Sequence, residues 1–121
     1  MKILVIDDDH IVVLSCCRIL EAEGMSVDVA NSVDVAEQML ETRPYDLVLT
    51  DIKMPERDGF EMIRQVKNIC PGLPVLMMTG YLTERTIEKG RAAGVDDFIG
   101  KPFTPVELTA AVGRVMGEFK F

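Results

Sequence analysis

Short apolar runs alternate along this chain with longer segments in which apolar positions recur every three or four residues. Ile3–Ile6 is continuously apolar, the pattern of a central strand covered on both faces. The segment from about Ile11 to Glu23 places Val12, Cys16, Ile19 and Leu20 on one helical face and stops at Gly24. Ser26–Ala30 alternates as a half-buried strand does. Asn31 and Ser32 supply a cap, and about Val33–Thr42 predicts a helix with Val35, Ala36, Met39 and Leu40 inward. Pro44 closes that turn, and Leu47–Asp51 predicts a third strand. Beyond Pro55 and Gly59, the segment Phe60–Asn68 spaces Phe60, Ile63 and Val66 helically. Pro71 and Pro74 bracket a loop before a fourth strand at Pro74–Met78. Thr83 or Glu84 opens a helix to about Ala93, ended by Gly94. Asp97–Gly100 predicts the last strand. Pro105, in a first helical turn, starts a helix from Val106 to about Glu118 with Leu108, Val112 and Val115 as its core stripe.

Strand and helix thus alternate five times with short loops, which implies parallel strands joined by right-handed crossovers. The 121 residues suit one domain with a core that needs no staples. Nothing resembles a linker, a repeat or a low-complexity tract. The apolar runs fall well short of the ~20 residues a membrane span needs, and the N-terminus lacks the succession of a signal peptide. A soluble, cytoplasmic protein with no membrane contact is expected. Cys16, Cys17 and Cys70 read as small hydrophobes of a reducing compartment, without metal-binding spacing. The net charge of −7 argues against direct nucleic-acid binding, which needs a cationic face.

The ends of the apolar runs carry the chemistry. Lys2–Ile6 leads into Asp7-Asp8-Asp9, Leu47–Thr50 into Asp51, Pro74–Met78 into Thr79-Gly80, and Asp97–Gly100 into Lys101-Pro102. In an open α/β sheet the crevice beyond the carboxyl ends of the strands is where ligands bind. Successive side chains diverge at a strand end, so at least two of the three clustered acids face the crevice. Two readings of that cluster stand side by side: a Mg²⁺ site built on hard oxygen ligands, and a solvated acidic helix start favoured by the helix dipole. Asp51 shifts the balance, because the third strand neighbours the first in doubly wound sheets and a third carboxylate calls for a divalent cation. A carboxylate in that place can accept a phosphoryl group as an acyl phosphate. Taken singly, Lys101 is an ordinary surface lysine and Thr79 an ordinary strand threonine. Together at neighbouring strand ends they supply charge and a hydroxyl to phosphoryl oxygens.

The stretches VIDDD (Val5–Asp9), TDIKMPERDGFE (Thr50–Glu61), VLMMTGY (Val75–Tyr81) and GVDDFIGKPF (Gly94–Phe103) resemble the receiver domain of two-component response regulators. The likeness runs through essentially the whole chain, with four motifs in the right order. It implies a flavodoxin-like doubly wound (βα)5 sandwich with a five-stranded parallel sheet in the order 2-1-3-4-5. It implies that Asp51 is the phosphoacceptor for a histidine of a sensor kinase or a histidine phosphotransfer protein. Asp8 and Asp51 would ligate Mg²⁺ directly, with the Lys53 backbone carbonyl and, through water, Asp7. Thr79 would bond the phosphoryl group, Lys101 would pair with it, and Phe98 stands where the family places an aromatic switch that turns inward on phosphorylation. Lys101-Pro102 resembles the family's cis junction. Asp9 receives no role beyond adding negative field.

The resemblance further implies a phosphoacceptor switch rather than an enzyme, signalling to an unidentified protein through the surface of the fourth helix, fifth strand and fifth helix. Dimerisation on phosphorylation, through the last two helices, is left open, as is whether the single receiver domain of residues 1–121 stands alone or was excised from a longer regulator. Lys53 and Tyr81, each two residues past a functional position, are expected to tune phosphate loss, with Tyr81 obstructing water. Lys53 is left between attracting and shielding phosphate. Gly90, inside a helix, is open to two explanations, a destabilised mobile helix or close packing. His10 is expected to be a polar residue near the site entrance. Phe119 and Phe121 are expected either to pack on the sheet or to mark a partner contact.

Three other classes fit less well. A hydrolase of the haloacid-dehalogenase type needs an aspartate two residues after its nucleophile, where this chain has Lys53. A nucleotide-binding flavodoxin relative needs backbone donors where Asp7–Asp9 stand. A receiver fold that ignores phosphate is disfavoured by the intact Asp7, Asp8, Asp51, Thr79 and Lys101.

Overall fold

Five strands and five helices follow one another in the computed structural model: β1 (Lys2–Ile6), α1 (His10–Ala22), β2 (Ser26–Ala30), α2 (Val33–Thr42), β3 (Leu47–Asp51), α3 (Gly59–Ile69), β4 (Val75–Thr79), α4 (Glu84–Ala93), β5 (Asp97–Gly100) and α5 (Pro105–Met116). The structure describes residues 1–53 and 58–117. Met54 and Pro55 of the motif loop, and the terminal Glu118, Phe119 and Phe121, lie outside the described residues. All strand pairs are parallel and the order is β2-β1-β3-β4-β5, as the sequence led one to expect.

The period of two along each strand sorts side chains between two helical layers. Ile3 and Val5, Leu47 and Leu49, Leu76 and Met78, and Ile99 meet Val13, Cys16 and Leu20 of α1 and Leu108, Ala111 and Val112 of α5. Leu4 and Ile6, Val48, Val75 and Met77 meet Ala36 and Leu40 of α2, Met62, Ile63 and Val66 of α3, and Ala93 of α4. Every residue of β3 and β4 is buried, which is why those strands read as unbroken apolar runs. Full burial of one such Leu, Ile or Met side chain contributes roughly 1.5–3 kcal/mol.

Three helical faces are rotated from the sequence reading. In α1 the fully inward positions are Val13, Cys16 and Leu20, while Val12 and Ile19 are half-buried at the margin. In α2, Val35 is exposed and Val33 is buried instead, because the helix begins at Val33 and runs its stripe through Ala36 and Leu40. In α3, Met62 is fully buried beside Ile63 and Val66, and Phe60 lies half-buried at the edge. On the edge strand β2, Val27 packs against the α1 side, but Val29 opens onto a cleft lined by Asp8, His10 and Asn31.

All five helices begin on a side chain that accepts from a free backbone N–H of the first turn: Asp9, Ser32, Asp58, Thr83 and Thr104. Thr104 and Glu107 form a reciprocal capping box. The Thr104 backbone N–H that the Glu107 carboxylate accepts holds its pKa below the ordinary value. Glycine is required by left-handed backbone at Gly24 (φ +82°) and Gly94 (φ +112°), just past α1 and α4.

Candidate functional site

Sheet register decides which side chains meet. Ile6 pairs with Thr50, so the residues that follow, Asp7 and Asp51, leave the sheet side by side. Thr79 pairs with Gly100, so Lys101 leaves one step beyond it. Asp7, Asp51 and Lys101 continue the alternation of Val5, Leu49 and Ile99 on the α1/α5 side, whereas Thr79 continues that of Met77 on the other side.

The result is a three-way ionic contact. Lys101 Nζ donates to Asp51 Oδ2 at 2.7 Å and to Asp7 Oδ2 at 3.0 Å. The Asp7 side chain is fully enclosed, that of Asp51 is mostly buried, and that of Lys101 is 20% exposed. Burial raises the Asp7 carboxyl above its ordinary pKa, and the Asp9 N–H and the Lys101 ammonium offset this only in part. Burial alone would pull Lys101 down, but the hydrogen bonds and charges of Asp51 and Asp7 outweigh it and raise its pKa. Lys101 is thus a cation standing between Asp7 and Asp51.

The remaining bonds fix the loops. Asp51 Oδ1 accepts from the Lys53 N–H at 3.1 Å, and Asp7 Oδ1 from the Asp9 N–H at 2.9 Å. Thr50, wholly buried, donates its hydroxyl to the Asp51 carbonyl at 2.8 Å. Thr79 is buried, and its Oγ1 accepts from the Tyr81 N–H at 3.0 Å. The Lys101 N–H donates to the Thr79 carbonyl at 2.8 Å, and the Lys101–Pro102 peptide is cis. Asp8 is exposed, on the same loop as Asp7. Asp9 caps α1 by accepting from the Ile11 and Val12 N–H groups, in line with the helix-start reading of the acidic cluster, whereas the resemblance gave it no role beyond negative field.

Three features were legible in the sequence only in part or not at all. The Asp9 cap was legible in principle, since an aspartate directly before a helical pattern is a start signal. The Lys53 ammonium lies 4.6 Å from the Tyr81 ring centroid, a contact between two loops that no local pattern announces. Close packing was one of the two readings of Gly90, and its partner Phe98 is a long-range contact that the sequence did not name.

The donor set suits a hard cation. Asp7, Asp8 and Asp51 offer only oxygen, and three carboxylates against one ammonium leave two negative charges. As arranged here, no three His, Cys, Asp or Glu side chains among the described residues surround a common point in the manner of a metal site. No helix among the described residues is long and apolar enough to cross a membrane.

A doubly wound parallel sheet with an acid pair, a lysine and a buried threonine at its carboxyl edge defines a class of signalling domain. Residues 3–113 match the response regulator receiver domain, and the chain belongs to that family. Over 121 residues it is 38% identical to response regulator MprA of Mycobacterium leprae, covering 99% of this chain and 53% of that protein. It is 36% identical over 122 residues to transcriptional regulatory protein ZraR of Escherichia coli O157:H7, covering 98% of this chain and 27% of the relative. The chain thus spans about half the length of the first of these relatives. A two-component response regulator from Clostridium difficile superposes with a TM-score of 0.92 at 26% identity, covering 100% of this chain and 99% of the other. The chemotaxis protein CheY4 of Vibrio cholerae superposes with a TM-score of 0.90 at 27% identity, covering 94% and 97%. This chain is a response regulator receiver domain of a two-component system, and receiver domains partner with histidine kinases.

Proposed function

We propose that Asp51 accepts a phosphoryl group from a phosphohistidine of a sensor kinase or histidine phosphotransfer protein, and that the acyl phosphate switches the surface of α4, β5 and α5. The observation that carries this reading is the Lys101 ammonium held by both Asp51 and Asp7 at the convergent strand ends. A lysine so placed neutralises anionic oxygens arriving at Asp51, which is the main demand of phosphoryl transfer. In the step itself the donor's P–N bond breaks as a P–O bond to Asp51 forms, and the imidazole nitrogen takes up a proton from solvent. Asp51 acts as a stoichiometric acceptor, so the domain is a switch with limited chemistry of its own rather than a turnover enzyme.

Thr79, two residues past Met77 in β4, would donate its hydroxyl hydrogen to the phosphoryl group, since that hydroxyl accepts from the Tyr81 N–H and keeps its own hydrogen to give. Phe98, paired in register with Met77, would follow it. Mg²⁺ held by Asp8, Asp51 and the Lys53 carbonyl, with Asp7 through water, would neutralise the phosphoryl oxygens when bound. An apolar cleft of about 320 Å³, lined by Ile11, Val12, Pro102 and Phe103, has Lys101 on its rim and gives a donor protein a surface within reach of Asp51. A cytoplasmic setting and a protein target rather than nucleic acid complete the proposal. The net charge of −7 supports the latter.

The test is labelling with radioactive acetyl phosphate in magnesium buffer. Wild type should take up label that hydroxylamine removes, and Asp51→Asn should take up none. Stoichiometric labelling of Asp51→Asn would place the acceptor elsewhere.

A further inference from the structure

Gly90 sits within α4, where glycine is less favourable than any residue except proline. Its backbone does not demand glycine, since the positive φ angles belong to Gly24, Gly94 and Gly117. The demand comes from across the helix–sheet interface. A Cβ at Gly90 would stand 2.6 Å from Phe98 Cε1 and 2.9 Å from Phe98 Cζ. Unstrained carbon atoms sit roughly 3.5–4.0 Å apart, so the ring occupies the volume a side chain at position 90 would need.

Both partners belong to elements of the proposed switch surface, α4 and β5. The Gly90 carbonyl accepts from the Gly94 and Val95 N–H groups, closing the end of α4 on the residue that receives the ring. Phe98 lies in β5 opposite Met77, and its half-buried ring packs against the core on the α2, α3 and α4 side. Thr79 continues that same face of β4. The Phe98 ring thus lies between β5 and α4 on the face of the sheet that Thr79 shares.

We propose that Gly90 is a positioning residue for Phe98: its missing side chain forms the seat of the ring, and residue 90 sets how strongly phosphorylation at Asp51 moves α4. The transmission half of this proposal rests on the function proposed above. The seat itself does not.

Fluorine spectroscopy of the full chain labelled with 4-fluorophenylalanine reads both halves. The Phe98 resonance is assigned by its loss in Phe98→Leu. In Gly90→Ala it should move, and an unmoved resonance would overturn the seat. Beryllofluoride with magnesium should shift the wild-type Phe98 resonance, and in Gly90→Ala that shift should fall by at least half. An equal shift in both proteins would overturn the transmission. If wild type shows no response to beryllofluoride and no labelling by acetyl phosphate, the proposed function fails while the seat is still judged by the first comparison.

Denaturation provides the second arm. Leucine lacks the two ring atoms that would collide, so in a Phe98→Leu background Gly90→Ala should gain the helical advantage of alanine, roughly fivefold in the folding constant. With Phe98 present that gain should be lost or reversed. The same gain in both backgrounds would refute the seat. Should Gly90→Ala alone not fold, recovery of folding by Gly90→Ala/Phe98→Leu supports the proposal and failure of the pair overturns it.

Discussion

The Lys53 ammonium rests over the face of the Tyr81 ring, 4.6 Å from its centroid. Lys53 follows Asp51 by two residues and Tyr81 follows Thr79 by two, so this contact ties together the loops that carry the acceptor and the hydroxyl. Cation–π attraction at an exposed site is worth about 0.5–1 kcal/mol, a factor of about two to five in a rate. It gives the Lys53 charge a partner in the ring. If the pair shields the acyl phosphate from water, Tyr81→Ala shortens its lifetime by about that factor. Lys53→Ala does the same by releasing the ring, and the double variant is no shorter-lived than Tyr81→Ala. Measured phosphate release that is multiplicative in the two substitutions would show that they act independently. An unchanged or longer lifetime in Tyr81→Ala would remove the shielding role.

Lys101 is the cation shared by two enclosed carboxylates, so its removal leaves them facing each other. In magnesium-free buffer Lys101→Met should lose about 2–3 kcal/mol, near the lower edge of the cost of breaking a buried ion pair. The side chains of Asp7 and Lys101 are 0% and 20% exposed, which limits how much water can replace the contact. Asp51→Asn in the same buffer should cost far less, because Asp7 and Lys101 remain a neutral pair. Urea titrations of both variants check the order. Magnesium should restore part of the loss in Lys101→Met if Asp7, Asp8 and Asp51 hold it, and should do nothing otherwise.

Asp9 separates two roles for an acid beside the site. As the cap of α1 it satisfies the Ile11 and Val12 N–H groups, and Asp9→Ala should cost about 1 kcal/mol. Asp9→Ser, which keeps an acceptor but no charge, should recover most of it. If serine were as destabilising as alanine, charge rather than capping would be the contribution of Asp9.

What the sequence made legible and what it hid divide along a physical line. Strand runs such as Leu47–Thr50 are local signals, because a strand covered on both faces must be apolar throughout. Asp7, Asp51, Thr79 and Lys101 were legible because the fold places strand ends together whatever the loops do. Helical phase was less so: Val35 and Val33 are chemically equal candidates, and only the start of α2 at Ser32 decides that Val33 goes inward. Contacts across long separations left no local trace. The contact of Lys101 with both Asp7 and Asp51 depends on side-chain reach, and the Gly90–Phe98 packing on the distance between α4 and β5.

At the opposite end of the sheet, the linkage of charge to folding is open to titration. Asp28 on β2 accepts from the Tyr45 hydroxyl at 2.7 Å and lies 3.3 Å from Arg43 and 3.5 Å from Lys2. The Tyr45 hydrogen bond, then the neighbouring cations, lower the Asp28 pKa, so the unfolded chain binds a proton more readily than the folded one. This contribution to stability is present above the ordinary carboxylate value and is lost as pH falls through the folded value. Tyr45 mirrors it. Burial, then the bond to Asp28, pushes the phenol up to about 12, so its contribution is complete below about 10 and fades as pH rises toward 12. Tyr45→Phe should cost about 1.5 kcal/mol at neutral pH, the worth of a hydrogen bond to a charged group. Relative to wild type its stability profile should be flatter at both extremes, because one substitution removes the cause of each shift. Asp28→Asn should flatten the acid limb most. A Tyr45→Phe profile parallel to wild type from pH 3 to 11 would mean that the contact contributes nothing in solution.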